Sequence, residues 1–314
     1  MIAVKTIPSS KIAPDYSIVI EGVTYKSVLV KTRIGDIETA IVGEGSPLIV
    51  VHGIVGGWWQ GVSLAAKLKN NYRVILISRP GYGRTPITSG RTTDEQAHLF
   101  RELIESLQIY KTHILGFSGG GPSALAFALN YKEQCKSLIL AVAAAPHLYK
   151  PSFPIWLITK SSFIVKKYIK WDKKKMLKKL DKFDSAYLHF EKEMNPNELI
   201  FLEKNPDIAK NINILIKNNF DGVTTEIGLK NDFEQSIKSK NQPRVLAEDV
   251  KVPTFIFHGT PDVTVPTEHA VYYASIIPDS ELKIYQGASH LLMWTHIDVI
   301  SQDISDFLKK QKVK

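Results

Sequence analysis

A serine flanked by glycines at fixed spacing constrains this chain more than any other feature. Gly116-Phe117-Ser118-Gly119-Gly120 has the spacing Gly-x-Ser-x-Gly and lies between an apolar stretch and an alanine-rich stretch. Glycines beside the serine permit a sharp strand-to-helix turn, on which the serine adopts a strained backbone conformation. The pattern predicts a nucleophile elbow with Ser118 at a helix N-terminus, where the helix dipole favours developing negative charge. Because this short spacing also arises by chance, the prediction needs partner residues.

Short apolar segments alternate with amphipathic segments on both sides of Ser118. Strands are predicted at 48–51, 72–78, 111–115, 137–143, 254–258 and 281–285, helices at 58–68, 92–107, 118–131, 268–276 and 297–309, and a hairpin at 27–33 and 37–42. This alternation is typical of the α/β class, with a mostly parallel central sheet and helices on both faces.

The alternation stops between residues 146 and 249, where the sequence is helical in character, rich in lysine and asparagine, and without a convincing buried strand. The simplest architecture is a helical cap, or lid, inserted after the sixth strand of one sheet. We therefore predict an N-terminal extension at 1–26, a core formed by 27–145 and 250–314, and a cap at 146–249.

A serine hydroxyl needs a base to act as a nucleophile, and the base needs an acid to orient it. His290 and Asp262 each lie in a loop that directly follows a predicted strand. Because ligands of open α/β sheets bind outside the carboxyl ends of the strands, we expect Ser118, Asp262 and His290 to converge there. The alternative for Asp262 is a turn-capping aspartate.

Acyl transfer also requires donors for an oxyanion. The backbone N–H of Gly119, directly after the serine, is one candidate, and the N–H of Ile54, in a glycine-rich loop after an early strand, is the second. His52, Gly53 and Phe117 are predicted to contact the substrate, since they flank these donors. A merely flexible loop is the alternative for the glycine-rich segment.

Five short motifs occur in the order of one known family. They are His52-Gly53, Arg79-Pro80-Gly81-Tyr82-Gly83, Gly116-Phe117-Ser118-Gly119-Gly120, Gly259-x-x-Asp262-x-x-Val265-Pro266 and Gly287-x-x-His290. Together they resemble the α/β-hydrolase fold superfamily, in particular its members with a helical cap. The resemblance implies that Ser118 is the nucleophile, His290 the general base and then acid, and Asp262 the orienting acid. Ser118 argues against dehalogenases and epoxide hydrolases, which use an aspartate at that position.

The resemblance implies little about the substrate, and we predict a serine hydrolase that cleaves a carboxylic ester through a covalent acyl-enzyme. A small acyl ester or a lipid-like ester is the expected substrate, with no cofactor and no metal. The alternatives are hydrolysis of C–C, lactone or amide bonds or perhydrolysis on the same triad, and a non-catalytic ligand-binding protein. The sequence does not determine the acyl chain or the oligomeric state.

The positive charge of the chain is confined to one segment. Eleven lysines against two aspartates between residues 150 and 182 account for the whole formal net charge of +9. No nucleic-acid-binding motif accompanies them, so no nucleic-acid partner is expected. The segment 154–182 is predicted to be an amphipathic lid with solvated lysines, and the alternative is weak peripheral contact with an anionic membrane.

Helical projection of this segment places its lysines opposite an apolar face. Trp156 and Phe163 fall toward the lysines. A second, short helix is predicted to follow, because Met176, Leu180, Phe183 and Tyr187 recur at helical spacing.

The remaining composition is that of an ordinary globular protein. There is one cysteine, Cys135, which excludes an internal disulfide and is expected to be a small buried residue. No signal-peptide pattern and no apolar run of about 18 residues occurs, so we expect a cytoplasmic protein.

Overall fold

An eight-stranded sheet forms the centre of the protein in the computed structural model. The structure describes residues 17–145, 148, 161–183, 185, 187, 188, 192, 194–221, 225–239 and 247–311. The strands of this sheet are β3 (Val28–Lys31), β4 (Asp36–Val42), β5 (Ser46–Val51), β6 (Tyr72–Ile77), β7 (Thr112–Phe117), β8 (Cys135–Ala141), β9 (Thr254–Thr260) and β10 (Ser280–Gln286). A separate two-stranded sheet, β1 (Ser17–Ile20) and β2 (Val23–Lys26), forms the only structure described within the predicted extension.

The strand order is β10-β9-β8-β7-β5-β6-β4-β3. The pairs of β4 with β3 and β6 are antiparallel, and the other five pairs are parallel. Central strands are buried on both faces, which explains their continuous apolar sequences. The mostly parallel sheet predicted from the sequence is confirmed, and so is the antiparallel hairpin that precedes it.

Helices cover both faces of this sheet, as predicted. The core helices are α1 (Val62–Leu68), α2 (Thr93–Ser106), α3 (Gly121–Asn130), α8 (Glu268–Ile276), α9 (Leu292–Thr295) and α10 (Ile297–Lys310). Apolar side chains of α1 and α10 form the core on one face, and those of α2, α3 and α8 form the core on the other. Helix α2 begins where the sequence indicates, because Thr92 and Glu95 form a capping box.

Four helices follow β8, the sixth strand of the eight-stranded sheet, as predicted for a cap. They are α4 (Ser162–Phe183), α5 (Pro196–Lys204), α6 (Pro206–Asp221) and α7 (Thr225–Ser239). Nothing in the described residues forms a helix both long enough and apolar enough to cross a bilayer. The bounds 146–249 remain a proposal, since 149–160 and 240–246 lie outside the described residues.

The structure has one helix, α4, in the lysine-rich segment for which two helices were predicted. Helix α4 continues to Phe183 without a break, because no glycine or proline interrupts it. Met176 lies inside it, and Tyr187 lies beyond its end. The prediction of a separate short helix was therefore wrong. Trp156 falls outside the described residues.

Candidate active site

Ser118 lies at the sharp turn between β7 and α3, at the carboxyl edge of the sheet. Its backbone φ is +51°, the left-handed conformation that a nucleophile elbow imposes on a non-glycine residue. The flanking glycines are required by close backbone approach. A Cβ atom on Gly120 would lie 2.5 Å from the carbonyl oxygen of Val51, and one on Gly116 would lie 2.7 Å from the Cα atom of Gly121.

Three side chains from three strand ends form a continuous hydrogen-bonded chain. The Oγ atom of Ser118 is 3.0 Å from Nε2 of His290, and Nδ1 of His290 is 2.7 Å from Oδ2 of Asp262. All three residues are buried. These distances suit proton transfer from the hydroxyl to the imidazole while the carboxylate fixes the ring orientation.

The carboxylate of Asp262 is held by a set of donors. The amides of Thr264 and Val265 donate to Oδ1 at 2.9 and 2.8 Å. The Nε2 atom of His258 lies 3.2 Å from Oδ2 while bonding the carbonyl of Val265 at 2.7 Å. Burial would raise the pKa of Asp262, but the bonds from His258 and His290 outweigh it and hold that pKa well below its usual range. Asp262 therefore caps its own turn through Oδ1 and bonds His290 through Oδ2. The two interpretations of Asp262 from the sequence, turn-capping residue and partner of His290, are compatible.

The loop after β5 carries Ile54, the second predicted oxyanion donor. The side chain of Gln60 holds this loop at two points. Its Oε1 atom accepts a hydrogen bond from the Gly53 amide at 3.0 Å, and its Nε2 atom donates one to the Val55 carbonyl at 3.0 Å. Val55 has a φ of +52°. A Cβ atom on Gly119 would lie 3.4 Å from the Ile54 nitrogen. The backbone of Gly119, the residue after Ser118, therefore lies close to the Ile54 nitrogen.

Both ring nitrogens of His52 are hydrogen-bonded within the protein. Its ring is buried; Nε2 accepts from the Arg79 amide at 2.9 Å and Nδ1 donates to the Gly53 carbonyl at 2.6 Å. Burial and the nearby Arg79 guanidinium hold the pKa of His52 well below its usual range, so the ring is neutral. These bonds give the His52 side chain a structural role in holding the loop, and its contact with the substrate stays a prediction. Gly53 lies close to the serine, since a Cβ atom there would lie 3.0 Å from the Cβ atom of Ser118.

Phe117, also predicted to contact the substrate, packs against the candidate base. Its ring centroid is 5.6 Å from that of His290 and 5.3 Å from that of Trp294. The Nε1 atom of Trp294 in turn donates to the Gln60 carbonyl at 3.1 Å. Phe117 therefore gives the imidazole an apolar neighbour, and Trp294 packs behind Phe117.

A buried cap carboxylate reaches the loop that carries His290. Glu198 in α5 accepts hydrogen bonds at Oε1 from the Ser289 amide at 3.1 Å and from the Thr295 hydroxyl at 2.9 Å. Its Oε2 atom accepts from the Asn195 amide and completes the capping box of α5. One side chain therefore fixes the start of a cap helix and the residue adjacent to His290.

A second buried carboxylate reaches the loop of residues 52–55, which carries Ile54, through an arginine. Asp232 in α7 accepts two bonds from the Arg79 guanidinium, at 2.8 and 2.6 Å, and one from the Tyr82 hydroxyl at 2.6 Å. The same guanidinium donates to the carbonyls of His52 and Gly53 at 3.0 and 3.1 Å. A bidentate pair of this kind fixes geometry as well as charge.

Cap residues also make apolar contacts with the loop that carries Ile54. Ile54 and Val55 pack against a small cluster of cap side chains from α4 and α7, namely Val165, Leu229 and Phe233. The described part of the cap that contacts Ile54 and Val55 is therefore hydrophobic.

Sequence reasoning assigned no role to Gln60, Arg79, Glu198, Asp232 or His258. The four-residue spacing of His258 and Asp262 across a strand end was a usable signal for His258. Arg79 stood in a quoted motif without a role. The contacts of Glu198 with Ser289 and of Asp232 with Arg79 carry no sequence signal, because these partners lie 91 and 153 residues apart in the chain.

Cys135 is buried, and burial raises the pKa of its thiol to about 12, so it is not a nucleophile at neutral pH. Across the ranges that the structure describes, no three His, Cys, Asp or Glu side chains are arranged to hold a metal ion.

The chain is similar in sequence and in fold to known hydrolases. Residues 46–297 match the family described as alpha/beta hydrolase fold. A 2-hydroxy-6-oxononadienedioate/2-hydroxy-6-oxononatrienedioate hydrolase from Comamonas testosteroni is 27% identical over 278 residues, covering 85% of this chain and 88% of that protein. An uncharacterized hydrolase, YcgS, from Bacillus subtilis is 32% identical over 117 residues, which are 37% of this chain and 41% of that protein.

A solved alpha/beta hydrolase fold protein from Nakamurella multipartita superposes with a TM-score of 0.70 at 25% identity, covering 90% of this chain and 98% of that one. The family match spans most of the chain and includes the elbow, the aspartate loop and the histidine loop described above. The chain therefore belongs to the alpha/beta hydrolase fold family and is a hydrolase of that fold.

Proposed function

We propose that this hydrolase cleaves a carboxylic ester through a covalent acyl-enzyme, with Ser118 as nucleophile, His290 as general base and then acid, and Asp262 as the orienting acid. The observation that supports this most directly is the hydrogen-bonded chain from the Ser118 hydroxyl through His290 to Asp262. The elbow conformation of Ser118 adds to it, because the strain presents the hydroxyl at the sheet edge.

In the proposed reaction, the Ser118 oxygen attacks the acyl carbonyl while its proton moves to Nε2 of His290. The N–H groups of Ile54 and Gly119 stabilise the oxyanion. His290 then protonates the departing alcohol, which leaves an acyl group on Ser118. Water, deprotonated by His290, attacks this acyl-enzyme, and the acid departs as Ser118 regains its proton.

The acyl group that suits this site is apolar and uncharged. Phe117 lies beside His290 and is itself packed against Trp294, and the cap cluster that contacts Ile54 is hydrophobic. Arg79 is the buried cation bonded to the oxyanion loop, and Asp232 neutralises it. A substrate carboxylate would therefore have to compete with a buried ion pair for Arg79.

A second candidate is hydrolysis of a C–C bond beside a ketone. It is favoured by the relative from Comamonas testosteroni, whose substrate name contains an oxo group and no ester. That name also describes a dioate, which carries two carboxylates. The pairing of Arg79 with Asp232 is why we place ester hydrolysis first.

The test combines a panel of p-nitrophenyl esters of graded acyl length with labelling by a fluorophosphonate. We expect turnover of uncharged esters and labelling at Ser118. Ser118→Ala should lower kcat by roughly a thousandfold or more and abolish labelling. Ser275→Ala, which changes an exposed serine of α8, is the matched control and should behave like the wild type.

Two results would contradict the proposal. Labelling at Ser118 without turnover of any ester would move the assignment to the second candidate, to be assayed with a 2-hydroxy-6-oxo dioate. Absence of both labelling and turnover in folded protein would indicate a non-catalytic member of the family.

A further inference from the structure

Helix α4 contains nine lysines and two aspartates, a formal charge of +7 in a chain whose total is +9. One face of it is buried. Val165 and Met176, three helical turns apart, are both fully inaccessible to solvent, and Lys166 pairs with Glu226 of α7 at 3.1 Å. The opposite face of α4 is therefore turned away from the rest of the cap.

Three aromatic side chains of α4 are exposed to solvent. Phe163 is 63% exposed, Trp171 55% and Tyr168 38%, whereas the other large aromatic residues named in the site are buried. Exposed tryptophan and phenylalanine two turns apart on one helix are unusual for a surface that meets only water.

Lysines cover two of these rings. The ammonium of Lys167 lies 4.5 Å from the centroid of Phe163, and that of Lys175 lies 4.5 Å from the centroid of Trp171. The rings of Tyr168 and Trp171 are 6.1 Å apart. Such contacts keep each ring and its charge side by side at the outer surface of the helix.

A row of lysines completes the same face. Lys170, Lys174 and Lys178 follow one another at four-residue spacing and share the helix side of Phe163 and Trp171. Within the residues that the structure describes, no acidic side chain pairs with any of these three. The outward stripe thus combines unneutralised ammonium groups with exposed aromatic rings.

We propose that this stripe, formed by Phe163, Lys170, Trp171, Lys174 and Lys178, docks on the surface of an anionic phospholipid bilayer. Lysine ammonium groups meet the headgroup phosphates, and their alkyl stems with the two rings enter the interface below. The polyanionic backbone of nucleic acid would engage the lysines but gives no apolar layer for Phe163 and Trp171. The inference does not depend on the proposed function, since it concerns binding alone.

The test is co-sedimentation of the whole protein with vesicles of phosphatidylcholine and of phosphatidylcholine mixed with phosphatidylglycerol, at low and high salt. We expect binding to the mixed vesicles only, weakened by salt. The triple change Lys170→Gln, Lys174→Gln, Lys178→Gln should lower partitioning on the order of a hundredfold. A matched triple, Lys69→Gln, Lys132→Gln, Lys251→Gln, removes the same charge from exposed lysines of the core and should bind nearly as wild type.

The aromatic part is tested by Phe163→Ala with Trp171→Ala. This variant should lose the binding that persists at high salt, because salt weakens the lysine attraction but not apolar insertion. The proposal is overturned if wild type fails to bind mixed vesicles at low salt, or if both lysine triples weaken binding equally. Binding to duplex DNA but not to vesicles would likewise overturn it in favour of a nucleic-acid partner.

Discussion

At the residue scale, Gly119 lies so close to Ile54 that no larger side chain fits there. A Cβ atom on Gly119 would lie 2.5 Å from Cγ1 of Ile54, which belongs to the other predicted oxyanion donor. Gly119→Val should therefore displace the Ile54 amide and lower kcat/KM by roughly a hundred- to a thousandfold. Steady-state kinetics with the best ester measures this, and circular dichroism checks the fold. Unchanged kinetics in the folded variant would put the oxyanion donors elsewhere.

The ionisation of Asp262 predicts how stability depends on pH. Its folded pKa is lower than its unfolded value, because bonds from His258 and His290 outweigh burial. The unfolded state then binds more protons, so this contribution is complete above the unfolded pKa of about 4 and is lost progressively as the pH falls below it. Urea unfolding between about pH 6 and pH 3 measures the slope. Asp262→Asn should flatten it; an equally steep slope in that variant would assign the acid sensitivity to other groups.

At the scale of elements, cap helices reach the loops of the candidate active site through buried polar contacts. Helix α5 supplies Glu198 to the histidine loop, and α7 supplies Asp232 to Arg79. Helix α6 supplies Asn219, which accepts a 2.7 Å bond from the indole of Trp59. The cap therefore positions the active-site loops as well as covering them.

Asp232→Asn tests how strongly the cap is coupled to the core. It leaves the buried Arg79 charge without its counterion, so we expect a loss of about 3–5 kcal/mol in the free energy of unfolding. The matched control is Asp298→Asn, which breaks an exposed pair with Lys67 and should cost at most about 1 kcal/mol. Urea denaturation of both variants gives the comparison. Equal effects would show that the Arg79 pair contributes no more than a surface pair.

At the scale of the whole molecule, one hydrophobic cluster joins cap and core. It contains Leu202, Ile212 and Ile216 of the cap helices together with residues of α1, α10 and the sheet, among them Leu64 and Ile304. A cap that shares its core with the sheet cannot lose its packing without exposing the sheet as well.

We therefore predict a single unfolding transition for cap and core. Far-UV circular dichroism and tryptophan fluorescence should give coincident midpoints in urea. Leu202→Ala, which truncates a fully buried residue of α5, should lower the free energy of unfolding by about 2–5 kcal/mol and shift both probes together. Two separated transitions, or a shift of one probe alone, would show that the cap unfolds independently.

Local sequence determined the elements and the position of the site. Buried strands, the capping box at Thr92 and the elbow at Ser118 are all set by neighbours within a few residues, so their patterns are readable in the chain. The convergence of Ser118, Asp262 and His290 was predictable too, because parallel strands bring their carboxyl ends to one edge.

Tertiary structure alone decided what holds that site in place. Several contacts depend on packing between segments whose sequences show no pairing signal. They are the hydrogen bonds of the buried, neutral His52, those of Gln60 with the loop that follows β5, and those of the cap carboxylates Glu198 and Asp232. The spacing of apolar residues predicted two helices in this segment. The structure has one continuous helix, α4, which buries Val165 and Met176 on the same side. Side-chain pairing across distant segments is set by the fold, since hydrogen-bond geometry and burial exist only once those segments have packed.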